Sequence, residues 1–350
     1  MTGLRIATWN VFQYAKVGTY WYDLDESKDY EEDQWAAKHL WMSDMISQMD
    51  ADIIGFQEIF SVPEFTAFMK EQGYPHVAVV DDSAIDPSDS RIYMGPVNAI
   101  ASRHPFVNTP MALTYPQELR ETTQLQNDYD FRRAVVRAEI DTPQLGRLVV
   151  YVCHFKSKGT FVDGDQIAKH ESWKERFREH LRARATNDAD QLIRRSGEAA
   201  GIYLAAMEEL DNDKNRPLVV LGDFNDDETS STLRILTQQE RVNNIARKRR
   251  SSIESTVDRA WNFTWQLYDS YGLVPNQSPA TRPVTHAGGW NYDAATLDFV
   301  LVSNGLNPRN PGRVAEVTDV DVYSDHFEDL NKLLTTDHAP VCVTISPLDS

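Results

Sequence analysis

The sequence is poor in cysteine and contains no long apolar run. Its only cysteines, Cys153 and Cys342, lie inside short apolar stretches, which predicts two buried reduced thiols rather than a disulfide framework. No stretch approaches the roughly 20 apolar residues that span a bilayer. Residues 4–9 are also too short to form the apolar core of a signal peptide. We therefore expect a cytoplasmic protein without a transmembrane segment.

Basic residues are scarce relative to acidic ones. The 35 Lys and Arg residues face 53 Asp and Glu residues, so the formal net charge is -18. This balance repels polyanions and argues against a nonspecific coat of nucleic acid. It still permits a locally basic groove, or a metal ion that offsets clustered acids. Cys and His residues at zinc-binding spacing and an acidic calcium loop are also missing, which excludes those two kinds of site.

Strand signals recur from the beginning of the chain to its end, and no Gly/Ser/Pro-rich linker separates two halves. We therefore predict a single domain over residues 1–350, with insertions at about 159–195 and 226–271. Helical spacing predicts helices over 31–49, over 63–70 with Ser61 as the cap, and over about 186–210. Strands are expected over 97–101 and over 133–140, the latter pairing with 147–153.

Six short apolar runs each carry polar residues at one end. Such runs predict buried strands, and a polar group at the rim of a strand is held rigidly enough to face a common cleft. The runs cover residues 6–10, 53–58, 149–154, 219–225, 297–302 and 337–343, and their polar ends are Asn10, Gln57, Glu58, His154, Asp223, Asn225, Asp298, Asp337 and His338. Each of these residues alone is typical of an ordinary strand end, but together they indicate one assembled site.

The polar ends are suited to metal-assisted chemistry on phosphorus. Asn10, Glu58 and Asp337 offer the hard oxygen ligands that Mg²⁺ prefers. Asp223 and Asn225 lie two residues apart on an extended segment and so project from one face, where one can handle a proton and the other can donate a hydrogen bond.

The two histidines fit the same chemistry. His154 and His338 can contact a phosphate group, and Asp298 can orient and charge one of them. A buried unpaired carboxylate within an apolar run would otherwise be costly. The set predicts attack of water on a phosphate ester with help from a divalent cation.

These runs also carry a family resemblance. The chain resembles the endonuclease/exonuclease/phosphatase (DNase I-like) superfamily through TWN at 8–10, DIIGFQE at 52–58, CHFKSK at 153–158, GDFN at 222–225, LDFV at 297–300 and TDHAPV at 336–341. All six motifs occur in the family's order and span nearly the whole chain. The resemblance implies an α/β fold, a four-layer α/β sandwich of two packed mixed sheets flanked by helices.

The resemblance also implies roles for individual residues. Glu58 would bind Mg²⁺ or Mn²⁺, supported by Asn10 and Asp337, and His338 would pair with Asp298. Asp223 would activate the nucleophile, although the family leaves open whether Asp223 or a histidine is the base. Asn225 would stabilise the transition state, and His154 would hold the scissile phosphate.

Two features favour a nuclease acting on DNA or RNA. The run from His154 through Lys156 to Gly159 resembles the HFKSKG stretch of bacterial extracellular-type nucleases, although the cysteines usual in that group are absent. Arg103 lies where the family often has a serine–arginine pair. We therefore expect Arg103, Lys156 and His154 to bind the substrate phosphate.

Three questions about ligands stay open at this point. The acidity of the chain favours an alternative function as an esterase of small or lipid phosphoesters, like sphingomyelinases or inositol phosphatases, and a non-catalytic binding module is a third possibility. Basic residues within 169–195 and 247–250 can contact phosphate, but their interleaved acids and loop positions favour the interpretation that they form solvent-exposed faces. Trp261, Trp265 and Trp290 can stack on bases or pack in the core. No obligate protein partner is inferred.

Overall fold

A computed structural model describes most of the chain. The described residues are 3–122, 129–159, 164–238, 263–275, 277, 282–288 and 294–348. The basic run at 247–250, Trp261 and Trp290 lie outside them, so the expectations for these residues stay predictions. Among the described residues, no helix combines the length and the apolar character needed to cross a membrane.

Two six-stranded mixed sheets form the centre of the molecule. The first has the strand order β14 (Ala315–Val322), β15 (Val341–Pro347), β1 (Leu4–Tyr14), β3 (Ile53–Ile59), β7 (Val97–Ser102) and β4 (His76–Val79). The second has the order β12 (Leu267–Asp269), β13 (Asp298–Ser303), β11 (Leu218–Asp223), β10 (Gly146–His154), β9 (Val136–Thr142) and β8 (Met111–Ala112). A small third sheet contains β2 (Tyr20–Trp21), β6 (Ile92–Gly95) and β5 (Ala84–Ile85).

The two large sheets pack face to face. Their inner faces contribute a shared apolar cluster in which Ile53 and Ile100 of the first sheet meet Val152 and Leu221 of the second. A Cβ atom at Gly55 would lie 2.2 Å from Cδ1 of Leu221, so this glycine permits the close approach of the sheets. Because both faces of these strands are covered, they are continuous apolar runs instead of alternating ones.

Helices cover the outer faces of both sheets. The described helices are α1 (Glu32–Met49), α2 (Val62–Glu71), α3 (Gln117–Thr122), α4 (Gly164–Ala168), α5 (Trp173–Asp211) and α6 (Ser231–Thr237). Apolar residues of α1 and α2 pack on the first sheet, and those of α5 and α6 pack on the second. The layers are therefore helix, sheet, sheet and helix, which confirms the predicted four-layer α/β sandwich.

The helix boundaries agree with the sequence predictions in part. The helix expected over 31–49 is α1, which begins after a capping box of Glu31 and Gln34. Ser61 does not cap α2 with its side chain, because its Oγ accepts a hydrogen bond from the Lys16 backbone N–H at 2.8 Å. The helix expected over 186–210 begins earlier, at Trp173, after a capping box of Ser172 and Glu175.

Candidate active site

Strand directions bring the polar ends of the first sheet together. Strands β1 and β3 are parallel, and Asn10 lies opposite Gln57, so Asn10 and Glu58 reach the same end of the sheet. Strand β15 is antiparallel to β1 and begins opposite Thr8, so Asp337 and His338, which precede it, lie at that end too.

The second sheet presents its polar ends at the corresponding edge. Strands β10 and β11 are parallel, with His154 opposite Asp223. Strand β13 is antiparallel to β11, and its first residue, Asp298, lies opposite Asp223. Because the sheets are packed together, both sets of polar residues face one cleft.

Asp223 is the centre of a buried hydrogen-bonded cluster. Its Oδ2 lies 3.4 Å from Nε2 of His154 and 3.7 Å from Nε2 of His338. The Nδ1 atom of His338 lies 2.9 Å from Oδ2 of Asp298. Each of Asp223, Asp298 and His338 offers one atom that could bind a metal ion, and these three atoms lie within 4.8 Å of one another. Since His338 already bonds to Asp298, we interpret the cluster as a proton-sharing set.

Burial and neighbouring charges separate the protonation states of the two histidines. Burial alone lowers the pKa of His338, but the carboxylates of Asp298 and Asp223 outweigh it and hold this pKa well above its usual value. Burial, together with the charges of Arg133 and His338, lowers the pKa of His154 well below its usual value. His338 is therefore cationic and His154 neutral near pH 7.

Burial also raises the pKa of Asp223, to about 7, against the opposing effect of the His338 charge. The neighbouring carboxylates of Asp298 and Glu58 raise it as well. A carboxylate with such a pKa can take up a proton near neutrality, which is the property required of a general base.

Asn225 is held beside this carboxylate by a tight turn. Its φ is +51°, its backbone N–H donates to Oδ1 of Asp223 at 2.8 Å, and its Nδ2 donates to the Phe155 carbonyl at 3.0 Å. Gly222 precedes the turn with a φ of +152°, and a Cβ atom there would lie 1.9 Å from the Cys153 carbonyl oxygen. Asp223 and Asn225 both line the cleft, but a turn places them there and not the extended segment that was predicted.

Glu58 is fixed by the bulged end of β1. Its Oε1 accepts from Nδ2 of Asn10 at 3.1 Å, and its Oε2 accepts from the Gln13 backbone N–H at 3.0 Å. The same Asn10 nitrogen lies 3.2 Å from Oδ2 of Asp223, while Oδ1 of Asn10 accepts from the Phe12 backbone N–H at 3.1 Å. As the amide is placed, Asn10 orients the two carboxylates and does not turn its oxygen toward them.

A divalent cation fits the Glu58 side of the cleft. Glu58 and Asp337 are half-buried carboxylates that line the cleft, and both offer hard oxygen ligands. Beside them, Oε1 of Gln13 is buried and has no hydrogen-bond partner in the described part of the chain. An unpartnered buried oxygen is costly unless another group binds it, which supports a cation at this position.

A buried lysine connects the end of β1 to the segment that carries Asp337. Nζ of Lys38 donates to the Thr335 carbonyl at 2.8 Å and to the Phe12 carbonyl at 3.2 Å, and the residue is fully buried. Burial lowers the pKa of Lys38 to about 7, although Asp337 and Glu58 oppose the shift. Lys38 was not among the predicted site residues, although its spacing of four residues from Met42 on the buried side of α1 was an available signal.

The cleft has a volume of about 460 Å³. Its lining includes the cationic side chains of Arg133, Lys158 and Lys332, none of which was predicted to be a site residue. Arg133 lies at its wall, where Nη1 donates to the carbonyl oxygens of His154 and Phe155 at 3.4 and 3.3 Å. Its Nε is buried without a hydrogen-bond partner among the described residues. The further lining residues that sequence analysis missed are Phe12, Gln13, Tyr22, Lys158, His286 and Lys332.

His286 and Lys332 come from loops that pass over the site. The ring of His286 packs against that of His338, with centroids 4.7 Å apart, and the two residues form an isolated antiparallel bridge. Nζ of Lys332 lies 3.7 Å from Oδ2 of Asp337. His286 lies outside the six motifs, and the sequence did not single out the residue.

Two predicted phosphate contacts are wrong in position. Arg103 follows β7, which is antiparallel to β3, so it lies at the opposite end of the sheet from Glu58. There its Nη1 is paired with Oδ1 of Asp50 at 2.7 Å, and its guanidinium packs over the ring of Tyr74.

The second correction concerns Lys156. Its backbone N–H donates to Glu198 at 2.7 Å, and its side chain lines a separate pocket beside α5 instead of the cleft. Lys158, two residues further on, lines the cleft, with its Nζ 2.8 Å from Oδ1 of Asp226. The chain leaves its extended path after His154, so alternation from that residue no longer predicts orientation.

A sequence comparison identifies the family. The family model described as "Endonuclease/Exonuclease/phosphatase family" matches residues 7–326 of the chain. The chain therefore belongs to this family, whose members hydrolyse phosphate esters. Among curated proteins, no sequence matches the chain. The narrower likeness to bacterial extracellular-type nucleases stays a prediction.

Solved structures with low sequence identity share the fold. The human Nocturnin catalytic domain with bound sulfate has 16% identity and a TM-score of 0.55, over 99% of this chain and 95% of that one. Truncated TDP2 from Caenorhabditis elegans has 11% identity and a TM-score of 0.53, over 98% and 97%. A mannosyl-6-phosphatase from Bacteroides thetaiotaomicron has 16% identity and a TM-score of 0.50, over 98% and 99%.

Proposed function

We propose that this protein is a divalent-metal-dependent phosphodiesterase, and specifically a nuclease that hydrolyses DNA or RNA phosphodiester bonds. The observation that carries the proposal is the buried Asp223 carboxylate between two histidines, at the floor of a cleft lined by cationic side chains. A carboxylate with a raised pKa is suited to activate water, and the cations around it are suited to bind a phosphate anion.

In the proposed mechanism, Glu58 and Asp337 hold Mg²⁺ or Mn²⁺, and Asn10 orients Glu58. A bound cation would neutralise the charge that develops on the phosphate oxygens. These assignments follow from the oxygen donors on that side of the cleft.

The protein's own residues bind the substrate and move the proton. The cationic His338, fixed by Asp298, contacts a non-bridging oxygen, and neutral His154 donates one N–H to the same phosphate. Asp223 accepts a proton from the water whose oxygen forms the new bond to phosphorus. Asn225 donates a hydrogen bond as charge develops, and the bond to the leaving oxygen breaks on the opposite side. The leaving oxygen keeps the bonding electron pair and takes up a proton from solvent water.

A substrate panel tests the reaction class. The purified chain is incubated with single- and double-stranded DNA, RNA, bis-p-nitrophenyl phosphate, p-nitrophenyl phosphate, sphingomyelin and inositol phosphates, with Mg²⁺, Mn²⁺ or a chelator. We expect metal-dependent cleavage of nucleic acid and of the synthetic diester. Intact nucleic acid under all conditions would contradict the nuclease proposal.

Two site variants with one control test the assignments. Glu58→Gln removes a ligand charge at constant shape, so it should raise the Mg²⁺ concentration for half-maximal rate by about tenfold or more. Glu64→Gln alters an exposed ion pair with Lys16 and should not change it. His338→Ala should abolish most turnover. Unchanged activity in both site variants would contradict the proposed site.

The alternative of a small or lipid phosphoester is favoured by the net charge of -18, which repels long polyanions. Turnover of sphingomyelin or an inositol phosphate, with nucleic acid left intact, would establish it. A non-catalytic binding module on this fold would show equal, negligible turnover in wild type and Asp223→Ala.

A further inference from the structure

The first half of the longest helix is largely exposed to solvent. Helix α5 connects the cleft end of β10 to the opposite end of β11, so its first residues lie at the cleft end. At Arg195 it is anchored to the Lys156 carbonyl and to Asp226, both at 3.1 Å, and after that its buried residues pack on the second sheet. Residues 173–194, which we name the α5 arm, precede this anchor and extend over about 30 Å.

The arm presents an apolar stripe to solvent. Trp173, Phe177 and Leu181 follow one another at intervals of four residues and are 78%, 52% and 50% exposed. Residues at this spacing lie on one face of a helix. The rings of Trp173 and Phe177 stack with centroids 6.1 Å apart, so the aromatic surface is continuous. Apolar residues grouped in this way on a surface mark an interaction site.

Basic residues flank the stripe. At about 100° per residue, Lys174 and Arg178 lie on one side of the stripe, and Arg176 lies on the other. The acidic residues Glu175 and Glu179 fall on the opposite face, whereas Asp188, further along the arm, lies in line with the stripe and pairs with Arg184. The basic residues within 173–184 are Lys174, Arg176, Arg178, Arg182 and Arg184, so this segment carries net positive charge in a chain of net charge -18.

We propose that the α5 arm binds an anionic lipid surface. An apolar face with a tryptophan and a phenylalanine, bordered by Lys and Arg, is the pattern that enters the headgroup region of a membrane while its cations contact lipid phosphates. A nucleic acid would satisfy the cations but would leave Leu181 exposed to water. A second copy of the arm would place like-charged flanks against each other. The inference does not depend on which phosphoester the cleft hydrolyses.

Vesicle binding by the full chain tests the proposal. The protein is mixed with vesicles of phosphatidylcholine alone or of phosphatidylcholine with phosphatidylglycerol, and bound protein is separated by flotation. We expect binding to the anionic vesicles only, with weakening as salt rises because the charge attraction is screened. No binding to anionic vesicles at low salt would overturn the proposal.

Matched variants locate the contact on the arm. Phe177→Ser should weaken binding by about tenfold or more, because it removes an aromatic ring that the lipid would bury in the complex. Arg178→Glu should weaken binding to anionic vesicles to a similar extent. Ile193→Ser is the control, because Ile193 is also on the arm and 49% exposed but lies roughly opposite Phe177 on the helix. Circular dichroism and the unfolding midpoint verify that each variant is folded.

Each remaining outcome decides the question. Vesicle binding that Phe177→Ser and Arg178→Glu leave unchanged would overturn the assignment to the arm. A dimer that is lost in Phe177→Ser, without vesicle binding, would show that a second copy covers the stripe. Retention of nucleic acid that depends on Arg178, without vesicle binding, would identify the arm as a nucleic-acid contact, and the lipid proposal would be wrong.

Discussion

The Nδ1 atom of His338 lies 2.9 Å from Oδ2 of Asp298, and both side chains are buried. The backbone N–H groups of Leu297 and Asp298 donate to Oγ1 of Thr285 at 2.9 and 3.0 Å, which fixes the start of β13. The hydrogen bond between His338 and Asp298 sets the orientation of the imidazole ring, so that Nε2 points toward Asp223 and the cleft. The pair therefore keeps a cation next to the proposed base.

Replacement of Asp298 tests this relationship. In Asp298→Asn the negative charge disappears, while the burial that lowers the pKa of His338 remains, so this pKa should fall even though Asp223 still raises it. We expect the turnover number on a phosphodiester to fall by about 10²- to 10⁴-fold. Asp319→Asn, the same change at an exposed position of β14, is the control and should keep full activity. Turnover within about twofold of wild type in Asp298→Asn would contradict the role of the pair.

Residues at strand ends were predictable from the sequence because the apolar pattern itself locates the end of each strand. Asp223, Asp298 and His338 directly follow or precede such runs, and the family order of the motifs placed them together. Strand direction is not contained in such a pattern. Arg103 was assigned to the site by the family resemblance alone, and it lies elsewhere because β7 is antiparallel to β3 and carries its final residues away from the cleft.

Residues on irregular segments were not predictable in the same way. Arg133, His286 and Lys332 reach the cleft because of tertiary packing that no local pattern encodes. Helix α5 begins before the helix expected over 186–210, although Trp173, Phe177 and Leu181 follow one another at the helical spacing of four residues. Ser172 and Glu175, at the spacing of a capping box, were the available local signal.

Arg133 should bind substrate. Its side chain lines the cleft wall, and its guanidinium carries a positive charge that is suited to a phosphate oxygen. Removing a charged donor from a phosphate costs about 1.5–3 kcal/mol, so Arg133→Ala should lower kcat/KM by about 10- to 100-fold, mainly through KM. Arg132→Ala removes the neighbouring exposed guanidinium and serves as the control. Equal steady-state kinetics for the two variants would exclude a substrate contact of Arg133.

Lys38 should stabilise the site through the backbone. Lys38→Met fills similar volume but leaves the Thr335 carbonyl without this donor, whereas the Phe12 carbonyl keeps a hydrogen bond from the Tyr30 hydroxyl at 3.1 Å. A buried unpartnered carbonyl costs about 1–3 kcal/mol, so the free energy of unfolding should fall by about that amount. The Mg²⁺ concentration for half-maximal rate should also rise, because the Asp337 segment loosens.

Lys70→Met, on the exposed side of α2, is the matched control for Lys38→Met. Urea unfolding and metal titrations of both variants measure the two effects. A Lys38→Met protein with the stability and metal dependence of Lys70→Met would show that the buried ammonium does not organise the site.

His39 should make the protein sensitive to acid. Its ring packs between those of Trp35 and Phe68, with centroids 4.4 and 4.6 Å away, and its Nε2 lies 2.8 Å from the Tyr14 hydroxyl. Burial, with the charge of Lys38, lowers the pKa of His39 from 6.5 to about 4. A pKa lowered by folding means that the folded state favours the neutral ring. The stability contribution is therefore complete above the unfolded pKa and is lost as pH falls from about 6.5 toward 4.

Between about pH 6.5 and 5, the lowered pKa of His39 corresponds to a loss of about 2 kcal/mol in the free energy of unfolding. Partial exposure of the ring reduces this loss to about 1 kcal/mol. His39→Gln keeps an acceptor for the Tyr14 hydroxyl but cannot titrate in this range. Urea unfolding at neutral and mildly acidic pH should therefore show a loss of stability that is smaller in His39→Gln than in wild type by about 1 kcal/mol. Because all other titrating groups are shared, the same acid-dependent loss in both proteins would show that His39 is not the group responsible.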